Sequence, residues 1–201
     1  MKLLAFGVLI GLTSAPIPTP AAAETTAELY QQGIHAFERA QFQKAIRIWR
    51  PIADNGHREA QFNLGAMYDN GKGTKKNPTE ASKWYRWAAD QGHVIAQYSL
   101  GNLYLAGRRV HQDTEQAIKW YRKAGEQGHT DAQFNLGEIY KDGTRVKRDY
   151  IKAFQWLSLA ALRKHNAGVI HKNFVEAFMS PEDVKIAQKL AVDVLKKYKK
   201  K

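Results

Sequence analysis

The sequence predicts an all-α protein in which antiparallel helix pairs stack into a right-handed solenoid. The nine residues AQFNLGAMY at 60–68 return as AQYSLGNLY at 96–104 and as AQFNLGEIY at 132–140. Each return follows after 36 residues, with no insertion or deletion. A fixed period of this size is the signature of a stacked repeat array.

Each unit also has the pattern of two amphipathic helices. In the first half Phe62, Gly65 and Tyr68 recur at helical spacing. In the second half the apolar positions are Ala81, Trp84, Tyr85 and Ala88. Glycines and a proline interrupt the segment 71–78 and predict a loop of roughly eight residues, longer than a minimal helical hairpin needs.

These residues resemble a known family. The string A-x-x-x-L-G-x-x-Y-x-x-G, then K/E-A-x-x-W-Y-x-x-A and G-H, resembles the Sel1-like repeat, a relative of the tetratricopeptide repeat with a longer loop. Three units match, 57–92, 93–128 and 129–164, and the third departs at Leu157 and Lys164. The resemblance implies a non-enzymatic scaffold that holds protein partners in signalling, exopolysaccharide production, motility or host contact.

The segment 24–56 reads as a tetratricopeptide-like N-terminal repeat. Gly33 and Ala45 are 12 residues apart, whereas Gly65 and Ala81 are 16 apart. With four loop residues fewer, the segment stays in phase with the later units. We therefore expect a fourth helix pair that caps the array at its N-terminal end.

The period ends in 165–201, where we expect capping helices and a basic tail. Ser180-Pro181-Glu182-Asp183 has the residues of a helix start. The apolar stripe that follows comprises Val184, Ala187, Leu190, Ala191, Val194 and Leu195. A helix of this kind suits the open end of a solenoid, which must cover its last apolar face.

Residues 1–23 have the features of a cleavable signal peptide. Lys2 precedes an apolar run from Leu3 to Leu12, and alanines at 21–23 supply a cleavage site before Glu24. A membrane anchor is the alternative, but ten apolar residues fall short of the about 20 that a bilayer core needs. We expect a periplasmic protein, with secretion as the second choice and no transmembrane segment after cleavage.

The composition limits the chemistry. The chain has no cysteine, which excludes disulfides and thiolate metal sites, and its formal net charge is +12. Residues 24–131 carry a net +3 and residues 132–201 a net +8, with five of the last six residues lysine. The simplest interpretation of the tail is a solvated end that complements the helix dipole, and attraction to a polyanion or membrane is the alternative.

The first helix of each unit supplies one candidate surface. In tetratricopeptide relatives this helix lines the concave face, so the resemblance places eight residues there. These candidates for partner binding are Tyr30, Phe62, Asp69, Tyr98, Asn102, Phe134, Glu138 and Lys141. The aromatic members fit inter-repeat packing better than ligand binding, whereas the positions that vary between units are the better candidates for specificity.

The inter-helix loops supply a second candidate surface, a basic ridge. Because the period is constant, equivalent loops should stack along one edge of the solenoid about 8–10 Å apart. The ridge candidates are Lys72, Lys75, Lys76, Arg108, Arg109, Arg145, Lys147 and Arg148. Such a ridge suits an extended anionic polymer, and the alternative is that basic loops serve solubility alone.

No catalytic, metal or cofactor site is predicted. The recurring His57, His93, His129 and His165 lie too far apart to share one ion, since zinc–nitrogen bonds are only about 2.0–2.1 Å long. We expect them to open the first helices instead. The nucleophile, zinc and phosphate-binding motifs of common enzyme classes are absent from the sequence.

Two functions remain. The first is a periplasmic adaptor that binds an envelope protein or peptide on its concave face. The second is a protein that binds acidic polysaccharide, lipopolysaccharide or wall polymer through the basic ridge. Lipid headgroups are further candidate ligands of this ridge. Nucleic acid would match the positive charge, but an exported protein rarely meets it, so we expect no nucleic-acid partner. The sequence leaves the oligomeric state undetermined.

Overall fold

The computed structural model describes residues 24–107 and 113–198, with the backbone alone at Tyr198. These ranges contain ten α-helices and no strand, which confirms the predicted all-α repeat fold. The helices are α1 Thr26–Glu38, α2 Phe42–Asp54, α3 Arg58–Asn70, α4 Pro78–Asp90, α5 Val94–Ala106, α6 Thr114–Glu126, α7 Thr130–Asp142, α8 Tyr150–Leu162, α9 Asn166–Glu176 and α10 Pro181–Tyr198. The expected signal peptide lies outside the described residues.

Successive helices pack as neighbours along the chain. α1 packs on α2, α3 on α4, α5 on α6 and α7 on α8, and each second helix also contacts the first helix of the next pair. Residues 39–41 join α1 to α2, whereas the longer segments 71–77 and 143–149 join α3 to α4 and α7 to α8. None of the described helices is long and apolar enough to cross a bilayer.

The recurring histidines begin the first helices. The Nδ1 atom of His57, His93, His129 and His165 accepts a hydrogen bond from the backbone N–H three residues later, at 2.9–3.2 Å. Each ring also lies against an aromatic ring of the preceding first helix. The pairs and their centroid distances are Tyr30–His57 4.8 Å, Phe62–His93 4.4 Å, Tyr98–His129 4.3 Å and Phe134–His165 4.5 Å. The histidines therefore cap helices and join adjacent units.

This double role makes stability depend on pH. Burial lowers the pKa of His93 and of His129, and a protonated Nδ1 could not accept the cap hydrogen bond. An unfolded histidine titrates near about pH 6.5. As the pH falls through this value the unfolded chain binds protons before the folded chain does, so the free energy of unfolding decreases towards acid.

We expect the double variant His93→Asn/His129→Asn to lose less stability between about pH 7 and about pH 5 than the parent chain. Asparagine caps helices without titrating. The removed slope is at most about 1.4 kcal/mol per pH unit for each imidazole. Urea denaturation at both pH values measures it. If the free energy of unfolding falls equally in parent and variant between the two pH values, His93 and His129 are not the cause of the pH dependence. This holds whatever their stabilities at neutral pH.

Buried amides link the units a second time. Gln97 is 3% exposed, and its Nε2 donates to the Ala89 carbonyl at 3.0 Å. Its Oε1 accepts from Nε2 of Gln127 at 2.8 Å. Gln61 makes the equivalent bonds to Ala53 and Gln91. Each pair of hydrogen bonds connects a first helix to both neighbouring second helices, which keeps the repeats in register.

The C-terminal helices depart from the repeat. His165 caps the start of α9 as the other histidines cap the first helices, and α9 packs on α8. α10 then packs on α8 and α6 rather than on α9. Consequently α9 keeps Ile170 65% exposed, Phe174 53% exposed and Phe178, just beyond its end, 59% exposed.

Candidate partner-binding recess

A recess opens where the first helices α3, α5 and α7 end. Its volume is about 470 Å³. We call it the concave recess, and its lining residues are Asp69, Asn102, Leu103, Leu105, Ala106, Tyr121, Asn135 and Arg145. A smaller recess of about 200 Å³ adjoins it, sharing Leu105, Asn135 and Arg145. Polar and apolar side chains both line the two recesses.

Tyr121 organises the floor of the concave recess. Its ring lies against Gly101, where an added Cβ would be 2.6 Å from two ring carbons, so only glycine admits it. The Tyr121 hydroxyl donates to Oδ1 of Asn102 at 2.6 Å. Burial raises the pKa of Tyr121, which keeps this donor protonated. With Oδ1 held in this way, the Asn102 amide presents its N–H groups as donors to a ligand.

Arg145 enters the concave recess from the loop between α7 and α8. Its Nη1 donates to the Leu105 carbonyl at 2.7 Å, at the C-terminal end of α5. A guanidinium has five donors in a fixed plane, so the anchored Arg145 keeps further donors for a ligand. Arg145 was predicted as part of the basic ridge, and the structure places it in the concave recess.

Carboxylates line both recesses. Asp69 lines the concave recess, and Glu138 and Asp142 line the adjoining one. Arg145 lines both recesses and so shares them with three carboxylates, in a chain whose net charge is +12. The two recesses thus combine amide and guanidinium donors with carboxylate acceptors.

Two of the predicted concave residues are bound to α9. Lys141 Nζ lies 2.8 Å from Oε2 of Glu138, and His171 Nδ1 lies 2.6 Å from the other carboxylate oxygen. Burial acts to lower the pKa of Lys141, but its hydrogen bond to Glu138 and the charges of Glu138 and Asp142 raise it overall. This cluster closes the C-terminal side of the site and leaves Lys141 with little capacity for a ligand.

The structure divides the predicted site residues into three groups. Asp69 and Asn102 line the concave recess. Tyr30, Phe62, Tyr98 and Phe134 stack on the capping histidines. Glu138 and Lys141 form the cluster with His171. Sequence reasoning missed Leu103, Ala106, Tyr121 and Asn135, although Asn135 occupies the position of Asn63 and Ser99 in the other units.

The basic-ridge residues differ in their surroundings. The described members are all exposed: Lys72, Lys75, Lys76, Arg145, Lys147 and Arg148. Lys72 lies over the rings of Phe37 and Phe42, at 4.9 and 5.5 Å from the centroids. Arg148 Nη2 donates to the Asp142 carbonyl at 3.4 Å. Arg108 and Arg109, in the middle of the predicted ridge, lie outside the described residues.

Metal-ligating side chains do not converge in the part of the chain that the structure describes. Over 24–107 and 113–198, no group of three or more His, Cys, Asp or Glu residues is placed to hold an ion. The recess offers hydrogen bonding and charge from three helices and from the loop that carries Arg145, which is the chemistry of recognition.

Comparisons with known proteins give the same architecture. A family model described as the Sel1 repeat matches residues 21–57, 58–93, 94–129 and 130–165, and so includes the N-terminal unit with the short loop. The chain is 32% identical to a Sel1 repeat protein from Oxalobacter formigenes, with a TM-score of 0.62 over 70% of this chain and 56% of that one. No curated protein sequence matches it.

A second solved structure extends further along the chain. It is a protective antigen present in uropathogenic Escherichia coli strains, displaying an SLR fold. The identity is 29% and the TM-score 0.55, over 87% of this chain and 46% of that one. The chain therefore spans about half the length of these two proteins.

Proposed function

This chain belongs to the Sel1 repeat family, and we propose from that premise that it is a periplasmic adaptor that binds an extended segment of an envelope protein. Sel1 repeat proteins generally mediate protein–protein interaction and are typically non-catalytic scaffolds. The partner belongs to an envelope signalling, exopolysaccharide or motility system. Its binding surface is the concave recess, with the adjoining smaller recess.

One observation carries this proposal. Asn102 is oriented by Tyr121, and Arg145 is anchored on the Leu105 carbonyl, so their remaining donors are held in place before any ligand arrives. Groups that are already ordered lose little conformational entropy on binding. The nearby carboxylate of Asp69 supplies an acceptor in the same recess. An extended peptide presents alternating carbonyl and N–H groups, which this arrangement can pair.

The proposed location rests on the N-terminal sequence. Residues 1–23 combine a charged start, a short apolar run and an alanine-rich cleavage site. Secretion into the medium is the second candidate location. Cell fractionation with an antibody against the folded repeats distinguishes the two, and a chain retained in the cytoplasm at full length would contradict both.

Binding of an anionic envelope polymer is the second candidate function. The observation that favours it is the exposure of Lys75, Lys76 and Lys147 on the inter-helix loops. Exposed charges act over about 8–10 Å at moderate ionic strength, so such binding should weaken steeply with salt. Asp69 of the concave recess and the carboxylates of the adjoining recess would repel the same polymer, so the two functions require different surfaces.

If the chain is an adaptor, substitutions of Arg145 and Lys147, which lie in the same loop, should affect partner binding differently. A photo-crosslinking amino acid at Ala106, an exposed recess residue, would capture the partner in cells. We expect Arg145→Ala to weaken binding of the captured segment about tenfold, the effect of removing a central charged contact. Lys147→Ala removes the same charge from the same loop but lies outside the recess, so we expect no change.

The control separates the two functions. Equal weakening by Arg145→Ala and Lys147→Ala, together with a steep dependence on salt, would favour the polymer and contradict the adaptor. Capture that is unaffected by Arg145→Ala and by Asp69→Asn would exclude the concave recess as the binding surface. Circular dichroism of each variant confirms that the helices are intact.

A further inference from the structure

A groove lies between α9 and α10, with α8 as its floor. Its volume is about 550 Å³, within the range of about 300–1,000 Å³ that ligand sites occupy. Phe154 and Ser158 lie in the floor, Val169 and Lys172 come from α9, and Val192 comes from α10. We call it the C-terminal groove. It shares no lining residue with the concave recess.

The groove exists because the last two helices do not form a pair. α9 packs on α8 as the first helix of a fifth unit would, and α10 packs on α8 and α6 instead of on α9. The two helices therefore stand on either side of α8 and leave part of its surface between them. Val175, Ala187 and Ala191 are buried and hold both helices in place.

The walls of the C-terminal groove are apolar and open to solvent. Leu162 at the end of α8 is 68% exposed, Val169 is 40% exposed and Val192 is 46% exposed. Each of the three helices thus contributes an exposed aliphatic side chain to one depression. Grouped exposed apolar side chains mark interaction sites in soluble proteins. A trough between two helices is the shape that an amphipathic helix fills in helix-in-groove recognition.

Charge identifies the kind of helix. Lys172 alone carries a charge among the described residues that line the groove, and its Nζ lies 5.3 Å from the Phe154 ring centroid and 3.2 Å from Glu176. Exposed Lys164 follows α8, and exposed Lys185 and Lys189 lie on α10, where Lys185 Nζ is 3.9 Å from Glu182. Residues 132–201 carry a net charge of +8. A second copy would bring the same positive charge, whereas acidic flanks would complement it.

We propose that the C-terminal groove binds an amphipathic helix of a partner protein, with an apolar face on Phe154, Leu162 and Val192 and acidic flanks towards the lysines. The Ser158 Oγ is buried in the floor and has no hydrogen-bond partner among the described residues. This site is separate from the concave recess, so the chain carries two docking surfaces.

The test uses a labelled synthetic helix of about 18 residues, or five turns, with leucines on one face and glutamates on its flanks. Fluorescence anisotropy measures its affinity for the full-length chain. We expect Leu162→Asp and Val192→Asp each to weaken binding at least about tenfold. A peptide with lysines in place of the glutamates should bind at least about tenfold more weakly.

Ile95→Asp is the matched control. Ile95 is 49% exposed on α5, outside the groove, and its substitution adds the same charge to the chain. We expect this variant to bind the acidic peptide as the parent does. Circular dichroism of the three variants confirms that any loss of binding is not a loss of folding.

Four results would overturn the proposal. The first two are no binding of the acidic peptide, and binding that Leu162→Asp and Val192→Asp leave unchanged. In the third, vesicles of phosphatidylglycerol bind in place of the peptide and Leu162→Asp abolishes this, so the groove takes acyl chains. In the fourth, the parent forms a dimer in sedimentation that Val192→Asp dissociates, so a second copy fills it.

Discussion

Replacing Trp120 by alanine is expected to lower the free energy of unfolding by about 4 kcal/mol, within the range measured for buried aromatic side chains. Trp120 is 1% exposed and belongs to the core between α4, α5 and α6. Arg86 and Lys123 lie over its ring, at 5.7 and 4.1 Å from the centroid. Its Nε1 makes no hydrogen bond with the described residues, so the loss comes from packing.

Trp87→Ala is the control for Trp120→Ala, because it removes the same side chain from an exposed position. Trp87 is 48% exposed and makes a T-shaped contact with Trp84, with 4.8 Å between ring centroids. We expect a loss of about 1 kcal/mol or less, the size of one aromatic pair. Urea denaturation followed by circular dichroism measures both variants. A cost for Trp87→Ala that matches the cost for Trp120→Ala would show that the core is not where the structure places it.

Replacing Gly101 by valine is expected to cost about 3 kcal/mol, at the upper end of the usual range for overpacking. The new Cβ would lie 2.6 Å from Cδ1 and Cε1 of Tyr121. The ring cannot turn aside easily, because its hydroxyl donates to Asn102 and the residue is completely buried. α5 and α6 must therefore separate, which also disturbs the floor of the concave recess.

Gly125→Ala tests whether the cost at Gly101 comes from the close approach of the Tyr121 ring rather than from the loss of a helical glycine. A Cβ at Gly125 would lie 3.1 Å from Cζ3 of Trp156 and 3.3 Å from Cγ of Gln133, which small shifts can relieve. Alanine favours a helix over glycine by about 1 kcal/mol. We expect a stability close to that of the parent chain. If thermal melting shows equal losses at both positions, helix separation is not the reason for the cost at Gly101.

The fold was predictable because its evidence is local and repeated. Gly65 and Trp84 recur at 36-residue intervals, and helical spacing needs only neighbouring residues to be recognised. The family and the all-α solenoid were accordingly confirmed. Helix starts could also be anticipated, since Ser180 and Pro181 carry capping chemistry in the sequence itself, and Ser180 Oγ does accept from the Asp183 N–H at 3.1 Å.

The composition of the candidate site was less predictable. Repeat register correctly indicated which side chains are equivalent, and so suggested Asp69 and Asn102. It could not show that Arg145 reaches across to the Leu105 carbonyl, because a contact between residues 40 apart depends on the path of a loop. Nor could it show that Lys141 forms an ion pair with Glu138, because the cluster of these two residues also includes His171 of α9.

By itself, the sequence determined the repeat length, the helix pairs and the capping histidines, because each depends on spacing along a single chain segment. Only the tertiary structure decided how the last helix lies. Its apolar stripe, with Ala187 and Ala191 at its centre, would suit any apolar neighbour, and packing places it on α8 and α6. Amphipathic periodicity specifies that a face is buried, whereas the partner of that face is selected by the shape of the surfaces the rest of the chain leaves free.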